Sequence, residues 1–315
     1  MKKLTALFLV VMLILATSYV SFAEDSTVEI GVISISVADD NNARCIEGIK
    51  AYAAEKGWTV TVVDANGSAD EANSAIVNFV TKGVDYVIDL VIPATSLGTG
   101  LAAAKDAGIP VSTWGGGMGD GMYMANGSGA PFAVPVVKKM LEDMGDTGEI
   151  LALTYHTGEV ARQREEKLDE AAANIPGITI TKNEVRIPGA VDDGAQYANA
   201  WLASHPAGEG NLAIWGSWDD PAMGAISSLK QQGRNDVKVY GQNGNPEAIV
   251  AVKDGWMTAT IWEDSYMEGY MLAKEYETIK EQGSAYVPGY KEYEGYLITA
   301  ETVDAFMAEH PEALG

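Results

Sequence analysis

The sequence predicts an α/β protein built from two doubly wound parallel-sheet lobes. Short β-branched runs alternate with helix-length segments whose apolar residues recur every three or four positions, which is typical of parallel sheets covered by helices. The alternation pauses after residue 113 and restarts at residue 149, which indicates two units of similar plan. A chain of 315 residues is also longer than one compact core usually needs, so two lobes are expected.

The first 23 residues have the features of an export signal. Lys2 and Lys3 precede an almost unbroken apolar run, residues 4–16, which is shorter than the roughly 18 apolar residues that normally span a membrane. Ser21 and Ala23 are small residues at the two positions that a signal peptidase reads. The sequence therefore predicts cleavage after Ala23 and a freely soluble periplasmic protein, because no cysteine stands at the cleavage point for lipid attachment.

Four strands are predicted in the first lobe, each a short run rich in β-branched residues. Their nearly continuous apolar character suits a parallel sheet that is buried on both faces. A glycine follows each predicted helix, where a left-handed conformation ends the helix at little cost. The predicted strands are residues 28–33, 59–63, 86–92 and 110–113, and the predicted helices are residues 43–56, 71–82 and 96–107.

The second lobe repeats this plan. Its predicted strands are residues 149–155, 178–187, 212–215 and 237–240, and its predicted helices are residues 159–174, 195–204, 221–232 and 246–254. A short terminal helix and a tail are expected from residue 302 onward.

A multi-strand hinge is expected between the lobes. Residues 124–131 are rich in glycine and serine and are the predicted first crossing, with further crossings near Glu263-Asp264 and Pro288-Gly289. The predicted N-terminal lobe is residues 28–126 and 264–289, and the predicted C-terminal lobe is residues 127–263 and 290–315.

Charge and cysteine content exclude several kinds of partner. The formal net charge of −23 repels nucleic acid and anionic membranes through its long-range field. Cys45 is the only cysteine, so neither an internal disulfide nor a cysteine-based metal cluster is expected. We expect no cofactor.

The motifs of common enzyme classes are missing from the sequence. No Gly-Lys pair occurs for a phosphate-binding loop, and no serine has the flanking glycines of a nucleophile elbow. His156 follows a predicted strand, but without a second histidine nearby a zinc site or a catalytic base would lack partners. The sequence therefore favours a binding protein over an enzyme.

Four segments carry a family resemblance that extends from residue 30 to about residue 283. They are residues 46–49 with Gly48, residues 104–111, residues 218–225, and residues 239–244 leading to residues 254–260. In this order and spacing they resemble the type I periplasmic solute-binding proteins, in the sugar-binding branch that includes the ribose-binding proteins.

The resemblance implies two lobes that close around one ligand, with site residues on loops at the carboxyl ends of parallel strands. It also implies the substrate-binding component of an ABC-type uptake transporter, which delivers a small sugar or polyol to a membrane permease. We expect a monomer. A periplasmic receptor for chemotaxis or signalling remains an alternative, as does an amine or amino acid ligand. A repressor is excluded, because an export signal stands where a DNA-binding helix-turn-helix would precede the first strand.

Ten residues near these strand ends are the predicted ligand contacts. Carboxylates, amides and arginine suit the hydroxyl groups of a sugar, and tryptophan suits its C–H face. Arg164 aligns with the family's sugar-contacting arginine, and Asn243 stands where the family usually has an aspartate. The ten are Asp39, Asp40, Asn41, Asn42, Trp114, Arg164, Trp218, Asp219, Asn243 and Glu263.

Several of these residues also have structural interpretations. Asn42 and Asp219 stand where helix N-caps are expected, and Trp114 is apolar enough for the core. Arg164 is close in sequence to Glu165 and Glu166, with which it could form a surface ion pair, and Arg162 is an alternative ligand contact.

Two departures from the family pattern argue against ribose itself. Gly115 and Gly116 replace the aspartate-arginine pair that follows the fourth strand in ribose-type members, and Asn41 and Asn42 replace first-loop phenylalanines. The glycine loop leaves room for a larger ligand.

Overall fold

A computed structural model of the chain describes residues 27–127, 129–145 and 147–314. The predicted export signal and its cleavage site after Ala23 lie outside these residues. The described residues form two six-stranded sheets with helices on both faces, which confirms the predicted fold class. The strands are β1 (Glu29–Ser34), β2 (Thr59–Asp64), β3 (Tyr86–Leu90), β4 (Val111–Trp114), β5 (Met122–Gly127), β6 (Thr147–Thr154), β7 (Gly177–Glu184), β8 (Leu212–Gly216), β9 (Val237–Tyr240), β10 (Ala259–Trp262), β11 (Gly289–Glu292) and β12 (Tyr296–Thr299).

The first sheet has the order β11-β5-β4-β3-β1-β2, and every neighbouring pair is parallel. Strands β3 and β4 are buried along their whole length, which explains their continuous apolar sequence. Strand β2 lies at an edge, and both of its end residues are exposed. Parallel pairing brings the carboxyl ends of all six strands to the same side of the sheet.

The second sheet has the order β12-β10-β9-β8-β6-β7. Its strands are parallel except for β12, which runs antiparallel to β10. Strand β8 is fully buried in the centre, whereas β7 at the edge alternates between exposed and partly buried residues. The two sheets thus share one plan, as the restart of the sequence pattern predicts.

Ten α-helices of the described residues cover these sheets. The helices at residues 40–56 and 190–202 begin earlier than the sequence pattern predicts, because each includes polar first-turn residues. The helices are α1 (Asp40–Lys56), α2 (Ala69–Lys82), α3 (Gly98–Ala107), α4 (Ala130–Met144), α5 (Glu159–Ala172), α6 (Ala190–Leu202), α7 (Asp219–Gln232), α8 (Pro246–Lys253), α9 (Ser265–Gln282) and α10 (Val303–Glu309). Among the described residues, no helix is both long and apolar enough to cross a membrane.

Helices α1 and α9 pack unusually closely on the outer face of the first sheet. A Cβ atom at Gly48 would stand 1.9 Å from the carbonyl oxygen of Tyr266, and one at Gly269 would stand 2.1 Å from that of Cys45. Only glycine permits this backbone approach. The pair covers an apolar cluster that includes Ile49 and Leu272, so it anchors the first lobe.

The chain crosses between the lobes three times in the described region, after β5, after β10 and after β11. The first crossing lies between Gly127 and Ala130, and the second lies between Trp262 and Ser265. The third lies between Glu292 and Tyr296, a few residues later than Pro288-Gly289, because β11 still pairs with β5 in the first sheet. Residues 290–292 therefore belong to the first sheet, not to the predicted C-terminal lobe.

Candidate functional site

One cavity of about 260 Å³ is lined by loops from both sheets. In the first lobe these loops follow β1, β3 and β4, and in the second lobe they follow β6, β7, β8 and β9. All of these strands are parallel, so the cavity lies at the carboxyl ends where an open α/β sheet presents its crevice. Its volume is near the ~300 Å³ lower end of ligand pockets, which suits one small molecule.

The loop after β1 divides its polar residues between the cavity and the protein interior. Asp39 lines the cavity and also caps α1, accepting a hydrogen bond of 2.9 Å from the backbone N–H of Asn42. Asn42 lines the cavity, and its side chain donates to the carbonyl oxygen of Ser36 at 2.9 Å. The N-cap of α1 is thus Asp39, whereas the sequence analysis offers Asn42 for that role.

The other two residues of that loop do not line the cavity. Asn41 is buried, and its amide donates to the Glu263 carboxylate at 3.1 Å, which joins the first lobe to the segment after β10. Asp40 is exposed at the rim, where its carboxyl faces that of Glu247 on α8 in the second lobe. The predicted ligand contacts of Asp40 and Asn41 are therefore corrected to a rim position and a contact between lobes.

Trp114 lines the cavity but is only 5% exposed, and it packs within the apolar cluster of the first lobe. Its indole nitrogen donates to Glu268 on α9 at 2.5 Å. Burial, together with the neighbouring Glu263, raises the pKa of the Glu268 carboxyl well above its ordinary value. One edge of Trp114 is thus anchored in the core, while part of the ring faces the cavity.

Arg164 on α5 projects into the cavity and is 3% exposed. Its guanidinium donates to the carbonyl oxygen of Ser217 at 2.8 Å and to the side-chain oxygen of Asn243 at 2.9 Å. It also lies over the ring of Phe132, 5.2 Å from the ring centre, where a cation–π contact forms. Burial lowers its pKa, while the negative charges of Glu263, Asp219 and Asp39 oppose that shift.

The charged residues next to Arg164 in sequence point elsewhere. Glu165 pairs with Lys182 at 2.8 Å and with His156 at 3.0 Å, and Arg162 pairs with Glu159 at the start of α5. The surface ion pair considered for Arg164 is therefore formed by its neighbours instead. His156 belongs to this outer network and does not line the cavity.

The segment Trp218-Asp219-Asp220 supplies one wall of the cavity. Trp218 lines it and meets Tyr155 edge to face, with the ring centres 5.9 Å apart. Asp219 is fully buried and does not line the cavity. Its carboxylate instead accepts hydrogen bonds of 2.8 Å from the backbone of Asn245 and from the hydroxyl of Thr260. The predicted role of Asp219 as a ligand contact is corrected, because both its oxygens hold neighbouring strand ends together.

Asp220, which is not among the predicted ligand contacts, lines the cavity instead. Its carboxylate accepts a hydrogen bond of 3.1 Å from the side chain of Asn245. The feature of the sequence that could have identified Asp220 is the pair of adjacent carboxylates in the first turn of α7. Adjacent helical residues point about 100° apart, so one carboxylate turns inward and the other faces the cleft.

Asn243 and Glu263 lie on either side of Arg164. Asn243 lines the cavity with a left-handed backbone (φ 110°), which asparagine tolerates better than most residues. Glu263 is buried behind the cavity wall, 2% exposed, where it accepts the hydrogen bond from Asn41. Glu263 is thus corrected from a cavity-lining contact to a residue whose charge faces Arg164 from behind. The predicted residues that line the cavity are Asp39, Asn42, Trp114, Arg164, Trp218 and Asn243.

Two carboxyl groups that line the cavity have raised pKa values. Burial raises the pKa of Asp39 to about 6 and that of Asp220 to about 8, and the negative charge of Asp39 adds to the shift at Asp220. Asp39 belongs to the first lobe and Asp220 to the second, so these carboxyls approach each other across the cleft. Each can accept a hydrogen bond when ionised and can donate one when protonated.

Much of the remaining cavity wall is apolar, and the sequence analysis does not identify it. Val91 directly follows β3, and Val160 lies in the first turn of α5. Ile187 and Pro188 follow β7 and lie against the backbone of the first lobe, where a Cβ atom at Gly67 would stand 2.2 Å from the carbonyl oxygen of Ile187. These residues resemble ordinary core residues in sequence. Only their position after a strand pointed to the cleft.

Among the described residues, no group of three histidine, cysteine, aspartate or glutamate side chains is arranged to hold a metal ion. The arrangement instead provides hydrogen-bonding groups of both kinds, an aromatic ring and an apolar surface around one enclosed space. It is suited to holding a small uncharged polar molecule by many directional contacts.

Comparison with known proteins gives matches over most of the chain. A family model described as periplasmic binding protein domain matches residues 30–280. The chain is 26% identical over 232 residues to the xylitol-binding protein of Mycolicibacterium smegmatis, a match that covers 70% of this chain and 64% of that protein. It is 25% identical over 272 residues to the ribose import binding protein RbsB of Escherichia coli, covering 83% of this chain and 86% of that protein.

The fold is also found among solved structures. An ABC transporter solute binding protein from Agrobacterium vitis with bound allitol superimposes with a TM-score of 0.83 at 22% identity, covering 90% of this chain and 99% of that chain. At that identity the likeness shows a common fold.

Proposed function

The chain belongs to the periplasmic binding protein domain family, in its type I sugar-binding branch, and on that premise we propose that it captures one small sugar or polyol between its lobes. It then presents the loaded, closed form to the membrane permease of an ABC-type uptake transporter. The matched family consists of solute-binding proteins, which confirms the prediction of a binding protein rather than an enzyme.

The observation that carries this proposal is the composition of the cavity between the two sheets. Arg164, Asn243 and Asp220 from the second lobe and Asp39 and Asn42 from the first offer hydrogen-bond partners from both sides. A polyhydroxylated ligand with hydrogen-bond partners on each lobe stabilises the closed form, since every unmatched buried polar group would cost ~1–3 kcal/mol. Trp218 and Trp114 add aromatic surface for its C–H groups.

The relatives support a sugar or polyol rather than ribose in particular. By name one binds xylitol and another imports ribose, and a structural neighbour holds allitol. Gly115 and Gly116 replace the aspartate-arginine pair of ribose-type members, and Gly115 lines the cavity without a side chain. We therefore propose a ligand of about the size of a pentitol or hexose.

Thermal unfolding with a ligand panel tests the proposal. The mature chain, refolded to remove any carried ligand, is screened against about a hundred aldoses, ketoses, polyols, amino acids and amines. A ligand present at ~1,000 times its dissociation constant stabilises the folded form by ~4 kcal/mol and raises the melting temperature clearly. A shift with a sugar or polyol supports the proposal, whereas shifts confined to amino acids and amines contradict it.

One observation favours a second candidate, a ligand that carries an amine. Asp39 and Asp220 face each other across the cavity, and a cation between them would favour their ionised forms. An aminated polyol binding more tightly at pH 8 than at pH 6 would support this candidate, because the ionised fractions of Asp39 and Asp220 both increase over this range. A neutral polyol binding with the highest affinity would exclude it.

We also propose export to the periplasm, cleavage after Ala23 and a monomeric state. Mass spectrometry of the exported chain tests the cleavage site, and light scattering after size-exclusion chromatography tests the oligomeric state. An intact N-terminus or a dimeric mass would contradict these proposals.

A further inference from the structure

Three residues from both lobes meet in one apolar corner of the cavity. The point where a Cβ atom of Gly115 would stand lies 3.1 Å from Cγ2 of Val160 and 3.6 Å from Cγ2 of Val91. All three residues line the cavity. Val91 and Gly115 come from the first lobe and Val160 from the second, so this corner forms only when the lobes are closed.

Val91 takes an uncommon conformation to reach this place. Its φ angle is 73°, in the left-handed region that β-branched residues rarely adopt. Its backbone N–H donates to the carbonyl oxygen of Trp114 at 2.7 Å, which holds the end of β3 against β4. Strained residues of this kind concentrate at ligand sites, where the surrounding structure maintains them. In this conformation the isopropyl group forms part of the cavity wall.

The corner provides few hydrogen-bond partners. Val91, Val160 and Gly115 have no polar side-chain atoms, and the N–H of Gly115 is already bonded to the carbonyl oxygen of Asn126 at 2.8 Å. A ligand hydroxyl placed here would lose its hydrogen bonds to water without an equivalent replacement. A methyl group would gain contact with two isopropyl groups.

The rest of the cavity has the opposite character. Arg164, Asn243, Asp39, Asn42 and Asp220 line it with groups that suit hydroxyls. The cavity is therefore two-sided, and a ligand that is hydroxylated at every carbon would place one hydroxyl against the valines. We propose that the ligand is a deoxy sugar or deoxy polyol, whose methyl carbon occupies the corner of Val91, Gly115 and Val160. This inference rests on the proposed function and narrows it.

Matched pairs of ligands test the inference. Each pair differs only in one terminal carbon, which is a methyl group in one member and a hydroxymethyl group in the other. Suitable pairs are D-fucose with D-galactose, L-rhamnose with L-mannose, D-quinovose with D-glucose, and L-fucitol with galactitol. Isothermal titration calorimetry gives both dissociation constants. We expect the deoxy member to bind about tenfold or more tightly, the effect of one well-placed methyl group in an apolar pocket.

Two substitutions place a hydroxyl in the corner without changing its volume. Val160→Thr lies in the first turn of α5, where threonine is well tolerated, and Val91→Thr keeps the β-branched shape at φ 73°. Each should shift the preference toward the hydroxylated member by about tenfold. If Val91→Thr fails to fold, Val160→Thr alone decides. The matched control is Val250→Thr on the exposed face of α8, which should leave the preference unchanged.

The outcomes separate this inference from the function on which it rests. Tighter binding of the hydroxylated member by the wild-type chain overturns the inference and leaves the sugar-binding proposal intact. An unchanged preference in Val160→Thr also overturns it. Failure of every pair, and of every other sugar and polyol in the panel, overturns both.

Discussion

The indole nitrogen of Trp114 donates a hydrogen bond of 2.5 Å to the buried carboxyl of Glu268. Trp114 ends β4 at the wall of the cavity, and Glu268 lies in the first turn of α9, just after the chain re-enters the first lobe. The carboxyl of Glu268 also lies close to that of Glu263, which accepts a hydrogen bond from Asn41. The wall of the cavity is thus connected to the second crossing between the lobes by a buried polar chain.

This connection changes what is expected of Trp114→Ala. The substitution should abolish ligand binding and also lower the free energy of unfolding by about 3–5 kcal/mol, because a large core side chain is lost. The loss of a ligand contact alone would lower affinity and leave stability nearly unchanged. Urea unfolding monitored by far-ultraviolet circular dichroism measures the loss. A wild-type unfolding midpoint would show that Trp114 contributes nothing to the core.

Trp114→Phe separates packing from hydrogen bonding. Phenylalanine retains an aromatic ring but leaves the carboxyl of Glu268 without its indole donor, so a loss of about 1–3 kcal/mol is expected. Trp114→Phe combined with Glu268→Gln should lose much less than the sum of the two single changes, since they remove the same contact. If urea unfolding shows that the double variant loses the sum of the free energies lost by the two single variants, the contact is contradicted.

Arg164→Ala should reduce affinity for the ligand by at least about a hundredfold, because a charged hydrogen-bond donor of the cavity is removed. It should also destabilise the fold by about 3 kcal/mol, since Glu263, Asp219 and Asp39 lose their nearby cation. Calorimetry and urea unfolding measure the two effects. Arg162→Ala is the matched control on the same helix and should leave affinity nearly unchanged, because Arg162 pairs with Glu159 outside the cavity. Equal losses from both changes would contradict the site.

With its lobes closed, the folded chain should be more stable at pH 5 than at pH 8. Burial raises the pKa of Asp39 to about 6, of Asp219 to about 7 and of Asp220 to about 8, whereas unfolded aspartate titrates near ~3.9. Between these values the folded chain binds more protons than the unfolded chain, so the free energy of unfolding falls as pH rises.

Urea midpoints across this range test the pH prediction. Asp220→Asn should flatten the dependence, mainly between pH 6 and 8, because it removes the group with the highest of the three pKa values. An arginine lowers the pKa of some other carboxyls, such as Asp236, whose pKa is about 2. These groups titrate below pH 5, so they do not oppose the trend. Stability that increased from pH 5 to pH 8 would contradict the assignment.

Gly48→Ala and Gly269→Ala should each destabilise the first lobe by at least about 1–3 kcal/mol. The added methyl group would meet a backbone carbonyl oxygen of the partner helix at 1.9 Å or 2.1 Å, so α1 and α9 must separate. Gly98→Ala, in the first turn of α3, is the control. No atom lies within 4 Å of its Cβ position, so no loss is expected. Melting temperatures of the three variants test this prediction. A Gly269→Ala variant as stable as the wild-type chain would contradict the close packing.

The alternation of strands and helices was readable in the sequence because parallel strands are buried on both faces and leave continuous apolar runs. Helices α4 and α9 were not predicted. Pro131 and Pro135 interrupt the sequence pattern of α4, and α9 carries Glu268 and Glu275 on its buried side. A buried carboxyl is satisfied only by partners distant in sequence, such as Trp114, which periodicity does not reveal.

The site was partly predictable for a similar reason. Strand ends identify the loops, so Asp39, Trp114 and Asn243 could be selected from the sequence, whereas Arg164 was selected through the family resemblance. Which side chain of a loop faces the cavity depends on backbone direction, and this distinction separates Asp220 from Asp219. The apolar wall was missed because valine and isoleucine give the same signal in a core and in a cleft.

Cys45 is the only cysteine of the chain, and its side chain is completely buried where α1 passes α9. A thiol reagent added to the folded protein therefore has no exposed native site to modify. Cysteines introduced at exposed Met118 in the first lobe and at exposed Thr157 in the second would then be the only residues that react with a dye. With one dye on each lobe, energy transfer would report the movement of the lobes directly, so the natural sequence is already suited to conversion into an optical sensor for its own ligand.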